Sequence, residues 1–268
     1  MMSGAVQEEL PHQLDDEITQ RLLSFSRHFL SDLGPSHLMN RVDRKFLLHR
    51  AHLNQLLDHL ELVSSVLEVD DKLISEYRNT YFDDVKRQFY LQHHNRHSHR
   101  VKVRTRCYAG QDLHFLELKV KDNKGRTQKY RMLHSDFHSP LERQFLLDFN
   151  IKNAANLLPV QDCNYQRISL ADRSFNERLT LDLAVQYLDR LNHRVVTLDS
   201  LIVVELKQPK LSFNSEFMRV LRKLRLKPVK FSKYCMGTRL TNPTGLKTNA
   251  FKASERIITK ILGDQYYA

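Results

Sequence analysis

Arg100-Val101-Lys102-Val103-Arg104-Thr105-Arg106-Cys107 alternates a cation with an apolar or small residue at every step. In a β-strand, residues i and i+2 share a side. Arg100, Lys102, Arg104 and Arg106 therefore fall on one face, and Val101, Val103, Thr105 and Cys107 on the other. Like charges about 7 Å apart along one face repel unless something anionic lies between them. The same pattern recurs elsewhere in the chain. Glu117, Lys119 and Lys121 oppose Leu116, Leu118 and Val120, and Lys129 shares a face with Arg131. Arg178, Thr180 and Asp182 oppose Leu179, Leu181 and Leu183, while Val203, Glu205 and Lys207 oppose Ile202, Val204 and Leu206. Near the start, Arg41, Asp43 and Lys45 alternate with Val42, Arg44 and Phe46. Any one of these strands fits a half-buried sheet with a solvated face. Together they point to a sheet curled with its charged faces inward. The predicted fold is α+β: an antiparallel β-barrel tunnel lined with cations, its apolar outer faces covered by amphipathic helices.

The rest of the chain bounds this reading. Its 268 residues suffice for a sizeable core, and the net charge of +11 suggests a polyanionic partner. Trp is absent, which disfavours a stacking platform for single-stranded nucleic acid. No window approaches 18 uninterrupted apolar residues, so no transmembrane helix is expected. The start, Met1-Met2-Ser3-Gly4-Ala5-Val6-Gln7-Glu8-Glu9, has no apolar signal core. Cys107, Cys163 and Cys235 are far apart and odd in number, so neither a disulfide framework nor a paired-cysteine metal site is expected. A cytoplasmic location fits.

Helical spacing predicts amphipathic helices over 15–33, 50–62, 139–157, 213–226 and 253–262, with strands between them. Asp122-Asn123-Lys124-Gly125 reads as a hairpin turn, and 229–240 as irregular or strand-like. Leu116-Glu117-Leu118-Lys119 is echoed by Val204-Glu205-Leu206-Lys207, which suits a sheet of two similar halves. The expected organisation is a single domain, with residues 1–36 a helical segment packed on a tunnel domain over 37–268.

Arg has a planar fork that matches phosphate oxygens, and Lys a mobile point charge. A lone carboxylate among them is no phosphate ligand, but it suits Mg²⁺ or Mn²⁺ bridging phosphate oxygens. With that chemistry in view, seven short pieces in order resemble a known family. They are Arg41-Val42-Asp43-Arg44-Lys45-Phe46, Tyr81-Phe82-Asp83, Lys102 to Tyr108, Phe115 to Lys119 with Gly125-Arg126 and Lys129, Arg178 to Asp182, Glu205-Leu206-Lys207, and Phe231-Ser232-Lys233-Tyr234 with Gly237. The sequence resembles the VTC (vacuolar transporter chaperone) domain, the polyphosphate polymerase branch of the triphosphate tunnel metalloenzymes, related to the CYTH domain.

The resemblance implies a basic tunnel, a divalent metal, and ATP, triphosphate or polyphosphate as ligand. It implies tunnel roles for Lys45, Arg104, Arg106, Lys119, Lys129, Arg178, Lys207 and Lys233. Lys102 and Arg131, on the same faces, and Lys230 and Ser232 of the late motif join them as phosphate ligands. Glu205 is the implied metal ligand, with Glu117 as a second carboxylate. The first motif departs from the family in carrying Asp43 where glutamate is usual, which shortens that carboxylate's reach. The eukaryotic polymerases couple this domain to membrane segments and a regulatory domain; neither is read in these residues.

Three functions share such a tunnel. The first is transfer of the ATP γ-phosphate to a growing polyphosphate chain. The second is a metal-dependent tripolyphosphatase or nucleoside triphosphatase, with Glu117 or Asp43 activating water. The third is a non-catalytic binder of polyphosphate or nucleic acid, for which the basic face of the helix at 213–226 offers a surface. His93, His94, His97 and His99 form a run that could hold zinc or nickel, though it reads more simply as a polar loop. Cys107 and Cys235 read as small packing residues, and Tyr81, Phe82 and Tyr234 as packing rather than nucleotide-stacking groups.

Overall fold

The alternating stretches form strands, and these pair into one sheet. The computed structural model describes residues 13–33, 41–108, 113–123, 127–134, 139–242 and 244–263. In chain order its elements are α1 (Gln13–Leu22), β1 (Ser26–His28), β2 (Val42–His49), α2 (Leu53–Glu61), β3 (Ser64–Leu67), β4 (Ile74–Asp83), α3 (Gln88–His94), β5 (Arg100–Tyr108), β6 (His114–Lys121), β7 (Thr127–Leu133), α4 (Pro140–Asp148), β8 (Leu158–Asp172), β9 (Arg178–Asp189), β10 (Val195–Leu198), β11 (Leu201–Gln208), α5 (Glu216–Lys223), α6 (Lys233–Thr241) and α7 (Lys252–Leu262). The sheet order is β2-β11-β9-β8-β4-β5-β6-β7, antiparallel along the whole path, with β10 on β9, β3 on β8 and β1 parallel to β3.

The expected barrel is not closed. β2 and β7 end the path, and no ladder joins them among the described residues. Lys45 of β2 nevertheless lines the same cavity as Lys129 and Arg131 of β7. The sheet thus curls until its two free edges face each other across a seam.

The outer face is covered as the pattern predicts. Phe46 and Leu48 of β2, Leu179 and Leu181 of β9, and Ile202, Val204 and Leu206 of β11 pack against α1, α2 and α5. Leu53, Leu56, Leu57 and Leu60 of α2 are all buried, each worth about 1.5–3 kcal/mol of apolar transfer. Ser215 caps α5, its hydroxyl accepting from the Met218 amide at 3.3 Å. Leu146 of α4 packs with Val101, Val103, Leu116 and Leu118 on the back of β5 and β6.

Four local expectations are corrected. The helix read over 15–33 ends at Leu22, and Ser26–His28 forms a strand beside β3. The helix over 139–157 stops at Asp148, followed by a 3-10 turn at Ala154–Asn156. The histidine run is not a polar loop throughout, because Gln88–His94 is helical with Phe89 and Tyr90 buried. The stretch 229–240 contains helix α6, and this helix lies inside the curl. Tyr234, Cys235, Met236 and Leu240 pack there with Leu47, Val185, Tyr187 and Val203 of the sheet's concave face. The predicted turn at 122–125 falls partly outside the described residues, although Lys121 pairs with Thr127 across that hairpin.

Helix α6 fits against the sheet because residue 237 is glycine. A Cβ there would stand 2.4 Å from both Gln161 Nε2 and the Tyr187 ring. The concave side therefore has two halves, one plugged by α6 and apolar, the other open and charged.

Candidate functional site

The open half is a cavity of about 920 Å³, lined by thirteen Lys or Arg residues and three carboxylates, Asp43, Glu117 and Glu205. Strand register assembles it. Lys102 stands directly across from Lys119, and Lys119 from Lys129. The next row inward places Arg104, Glu117 and Arg131 abreast. On the other limb of the curl, Lys45 is opposite Glu205 and Lys207 opposite Asp43. Like charges directly opposite on neighbouring strands are destabilising, so the row Lys102-Lys119-Lys129 works against the fold of the free protein.

One group of cations is firmly anchored. Arg104 Nε donates to Glu117 at 2.7 Å, and Arg106 NH1 lies 3.7 Å from the same carboxylate. Arg106 Nε also donates to Asn79 at 3.0 Å. Arg167 of β8 grips Asp182 through two hydrogen bonds, at 2.5 and 2.8 Å, and Lys233 donates to the same carboxylate. Tyrosine rings back the group. Arg106 and Arg167 sit 5.0 and 4.8 Å from the Tyr77 ring centre, and Lys233 4.4 Å from that of Tyr165. Burial opposes ionisation of Asp182 and Glu117, yet the adjacent cations hold Asp182 well below the usual carboxylate range and Glu117 at about 2. Burial likewise opposes the charge on Lys233, but Asp182 beside it keeps its pKa above the ordinary value.

Asp182 reaches this face by simple alternation, opposite Val203 of β11, and just beyond it a bulge changes the phase of β9. Between β8 and β9 the register shifts at Asn164–Gln166, and Ala184 adopts a φ of 47°. Asp182 before the bulge, and Val185 and Tyr187 after it, thus all face inward although they break strict alternation.

The second group has no such partners. Among the described residues no carboxylate lies within ion-pair distance of Lys45, Lys102, Lys119, Lys129 or Lys207. Burial, reinforced by Lys102 and Lys129, pushes Lys119 down to about 7. Burial with Arg167 and Arg41 nearby brings Lys207 to about 7 despite Glu205, and burial with Lys45 and Arg104 brings Lys102 to about 8. Lys129 is lowered too, by burial and by Arg41 across the seam. An anion held among these lysines would oppose every one of these shifts, because a nearby negative charge favours the charged form that burial disfavours.

The start of α6 completes the wall. Lys230, Phe231, Ser232 and Lys233 all line the cavity. Ser232 is the helix cap, accepting from the Cys235 amide at 3.3 Å, so the positive end of the helix meets the cavity. Asp83 fixes this helix from behind. It accepts from the Tyr234 hydroxyl at 2.5 Å and from the Phe89 and Tyr90 amides of α3.

Of the residues singled out in the sequence, Lys45, Lys102, Arg104, Arg106, Glu117, Lys119, Lys129, Arg131, Glu205, Lys207, Lys230, Ser232 and Lys233 all line this one cavity. Arg178 is not among them. It sits at the end of β9 opposite Lys207, where burial and nearby Arg41 lower its pKa, and its Nε finds no partner among the described residues. The sequence reading missed Arg167, Tyr77 and Tyr165, and placed Asp182 on the charged face without giving it a role. The only signal for Arg167 was its place two residues beyond Tyr165 on a strand with one cation.

Glu205 suits a divalent cation. It lines the cavity, no hydrogen bond reaches it among the described residues, and although burial disfavours its charge, Lys45 and Lys207 hold its pKa well below the usual range. Among the described residues no three His, Cys, Asp or Glu groups converge on a metal position. An ion bound at Glu205 would take its other ligands from phosphate oxygens and water, as Mg²⁺ commonly does. Glu117 is instead occupied by two arginines. The histidines do not assemble either: His93 is half-buried, its Nε2 3.3 Å from the Val101 carbonyl, with its pKa lowered by burial and Lys102, while His94 packs against Phe251. Cys163 and Cys235 are buried thiols whose pKa burial raises. No helix among the described residues is long and apolar enough to cross a membrane.

The model of one family, the VTC domain, matches residues 40–242. Among solved structures, a Vibrio parahaemolyticus protein described as a candidate adenylate cyclase is similar at 11% identity and a TM-score of 0.44, over 74% of this chain and 98% of that one. A Hippeastrum protein described as a candidate adenylyl cyclase with a dominant triphosphatase activity is similar at 14% identity and a TM-score of 0.40, over 80% of this chain and 96% of that one. The PH1819 protein of Pyrococcus horikoshii is similar at 12% identity and a TM-score of 0.36, over 69% and 86% of the two chains. No curated protein matches the sequence.

Proposed function

The chain belongs to the VTC domain family, and from that premise we propose that it is a polyphosphate polymerase-like phosphotransferase working inside the cationic cavity. The curled sheet with facing edges serves as the tunnel. In this reading 37–268 is the working domain and 1–36 an N-terminal segment, of whose described residues Ile18, Leu22 and Phe25 join the core on the sheet's outer face. The observation that carries this reading is the row Lys102-Lys119-Lys129: unpaired cations lining the cavity and set directly opposite one another, an unfavourable arrangement that a chain of phosphates would make favourable.

In the proposed reaction a terminal phosphate oxygen of the chain attacks the γ-phosphorus of ATP. A new P–O–P linkage forms, the bond to the β-phosphate oxygen breaks, and ADP leaves. The nucleophile is already ionised, so no side chain need take a proton. The protein supplies position and charge. Lys45, Lys102, Lys119, Lys129 and Lys207 neutralise the phosphates, joined by Arg131, Lys230 and the Ser232 end of α6. Arg104, Arg106 and Lys233, locked by their carboxylate partners, orient the transferring group, and Arg178 stands at the end of β9 to meet the chain. Glu205 would hold Mg²⁺ or Mn²⁺, which would supply positive charge to stabilise the transferring phosphate.

Hydrolysis would need a base for water, and the carboxylates suit that role poorly. Glu117, at about 2 in the grip of Arg104, is a weak proton acceptor, and Asp43 is bound to Arg41 at 2.8 Å. The test is incubation with ATP and Mn²⁺ or Mg²⁺, with products resolved on a gel and by phosphate release. Long-chain polyphosphate and ADP, lost in Glu205→Gln and Arg104→Ala, are expected. Free phosphate without chains would replace the proposal with a hydrolase, and tight polyphosphate binding with neither product would replace it with a binding module.

A further inference from the structure

The path out of the cavity continues the same chemistry. From Phe217 to Thr241 the chain holds eight Lys or Arg residues and no Asp or Glu. Arg219, Arg222 and Lys223 share the solvent face of α5, spaced i, i+3, i+4. Arg225 and Lys227 are exposed in the segment that follows, and Lys230 is exposed where it lines the cavity. None of Arg219, Arg222, Lys223, Arg225 or Lys227 has an ion-pair partner among the described residues.

This segment is held in place. The Val229 amide donates to the Lys45 carbonyl at 2.7 Å, pairing the segment with the open edge strand β2, and the Ser254 hydroxyl donates to the Lys230 carbonyl at 2.6 Å. It therefore runs from the outer face, where α5 packs on the sheet, along β2 to the cavity wall where α6 begins. A cationic strip joins the outside of the molecule to the cavity beside the seam that the unclosed sheet leaves.

We propose that the basic face of α5, Arg219, Arg222 and Lys223, joined to the cavity by Arg225, Lys227 and Lys230, is an outer subsite for polyphosphate chains longer than the cavity holds. The proposal rests on the reading of the cavity as a polyphosphate site. Each added phosphate brings another negative charge, and a chain that emerges beside β2 meets unpaired cations at once. The strip also gives a reason for the sheet's open edge: a ladder from β2 to β7 would shut the chain away from α5. A short anion fills the cavity without touching α5, so chain length separates the two sites.

The experiment compares tripolyphosphate with long-chain polyphosphate on the full chain, across a range of salt, for wild type and the triple variant Arg219→Gln/Arg222→Gln/Lys223→Gln. These side chains are exposed, so folding is expected to survive, which a thermal melt checks. Tripolyphosphate affinity should be unchanged. Long-chain affinity should fall about tenfold, and its log–log dependence on salt should flatten by about 2. Equal losses for both ligands, or none for either, overturn the subsite. Wild-type binding to phosphatidylserine vesicles that the variant loses, with long-chain affinity intact, assigns the face to a lipid surface and also overturns it. If wild type binds long chains through α5 but no tripolyphosphate, the cavity reading fails and the outer site stands apart from it.

Discussion

Two sets of cations share one cavity and are held in opposite ways. Arg104, Arg106, Arg167 and Lys233 are each tied to Glu117 or Asp182 and backed by tyrosine rings. Lys45, Lys102, Lys119, Lys129 and Lys207 line the same cavity, half-buried or exposed, with no such tie, and the four of these whose shifts are evident are pushed toward neutrality. The first set belongs to the folded structure, because its charges are balanced before any ligand arrives. The second is balanced only when an anion is present. The difference separates groups that shape the cavity from groups that bind in it, and each can be broken alone.

The largest effect is expected where the anchored set is cut. Asp182→Asn leaves Arg167 and Lys233 buried without their counter-charge, which should cost about 3–5 kcal/mol in denaturant unfolding; a loss below about 1 kcal/mol would mean the pair is solvated. Next is Gly237→Ala. The added methyl collides with Gln161 and Tyr187, so a loss of about 1–3 kcal/mol is expected, together with weaker phosphate binding as Ser232 and Lys233 move. An unchanged melting curve would show that α6 is not wedged against the sheet.

Cutting the unpaired set should have the reverse sign. Lys119→Met should stabilise the ligand-free protein slightly, by about 0.5 kcal/mol, because it relieves like-charge repulsion across the strands, and weaken tripolyphosphate binding about tenfold. Destabilisation would show that the lysine row supports the fold. The smallest effect is on pH dependence. Lys119 and Lys207 titrate at about 7 and Lys102 at about 8 in the folded protein, against an ordinary 10.5 when unfolded. Between those values the unfolded chain binds more protons, so the contribution of these lysines makes stability rise with pH from about 7 toward 10. Denaturant midpoints across that range should show a shallower rise in Lys119→Met than in wild type.

The lysine set was the more legible of the two in the sequence. A strand obeys a strict period of two, so Lys102, Lys119, Lys129 and Glu205 reveal their common side without any knowledge of pairing. Arg104, Arg106 and Glu117 of the anchored set were as legible, but much of what surrounds that set lay behind two exceptions to periodicity. The bulge at Ala184 changes the phase of β9, and α6, buried on all sides by sheet, α3 and α7, has no polar face for a helical period to mark. Arg167 drew no notice as the lone cation of its strand. Short β1 was lost because Phe25 and Phe29 extend the helical spacing of Ile18 and Leu22 past the true helix end. That the edges face each other without pairing is a property of sheet curvature, which no single strand encodes.

The central claim is that the unpaired lysines wait for phosphate. Calorimetric titration of the wild-type protein with tripolyphosphate at pH 8, in two buffers of different ionisation heat, tests it directly. The account predicts binding accompanied by net proton uptake, as Lys119, Lys207 and Lys102 regain their charge against the ligand, with the uptake reduced in Lys119→Met. Binding with no proton uptake, or no binding at all, would contradict it.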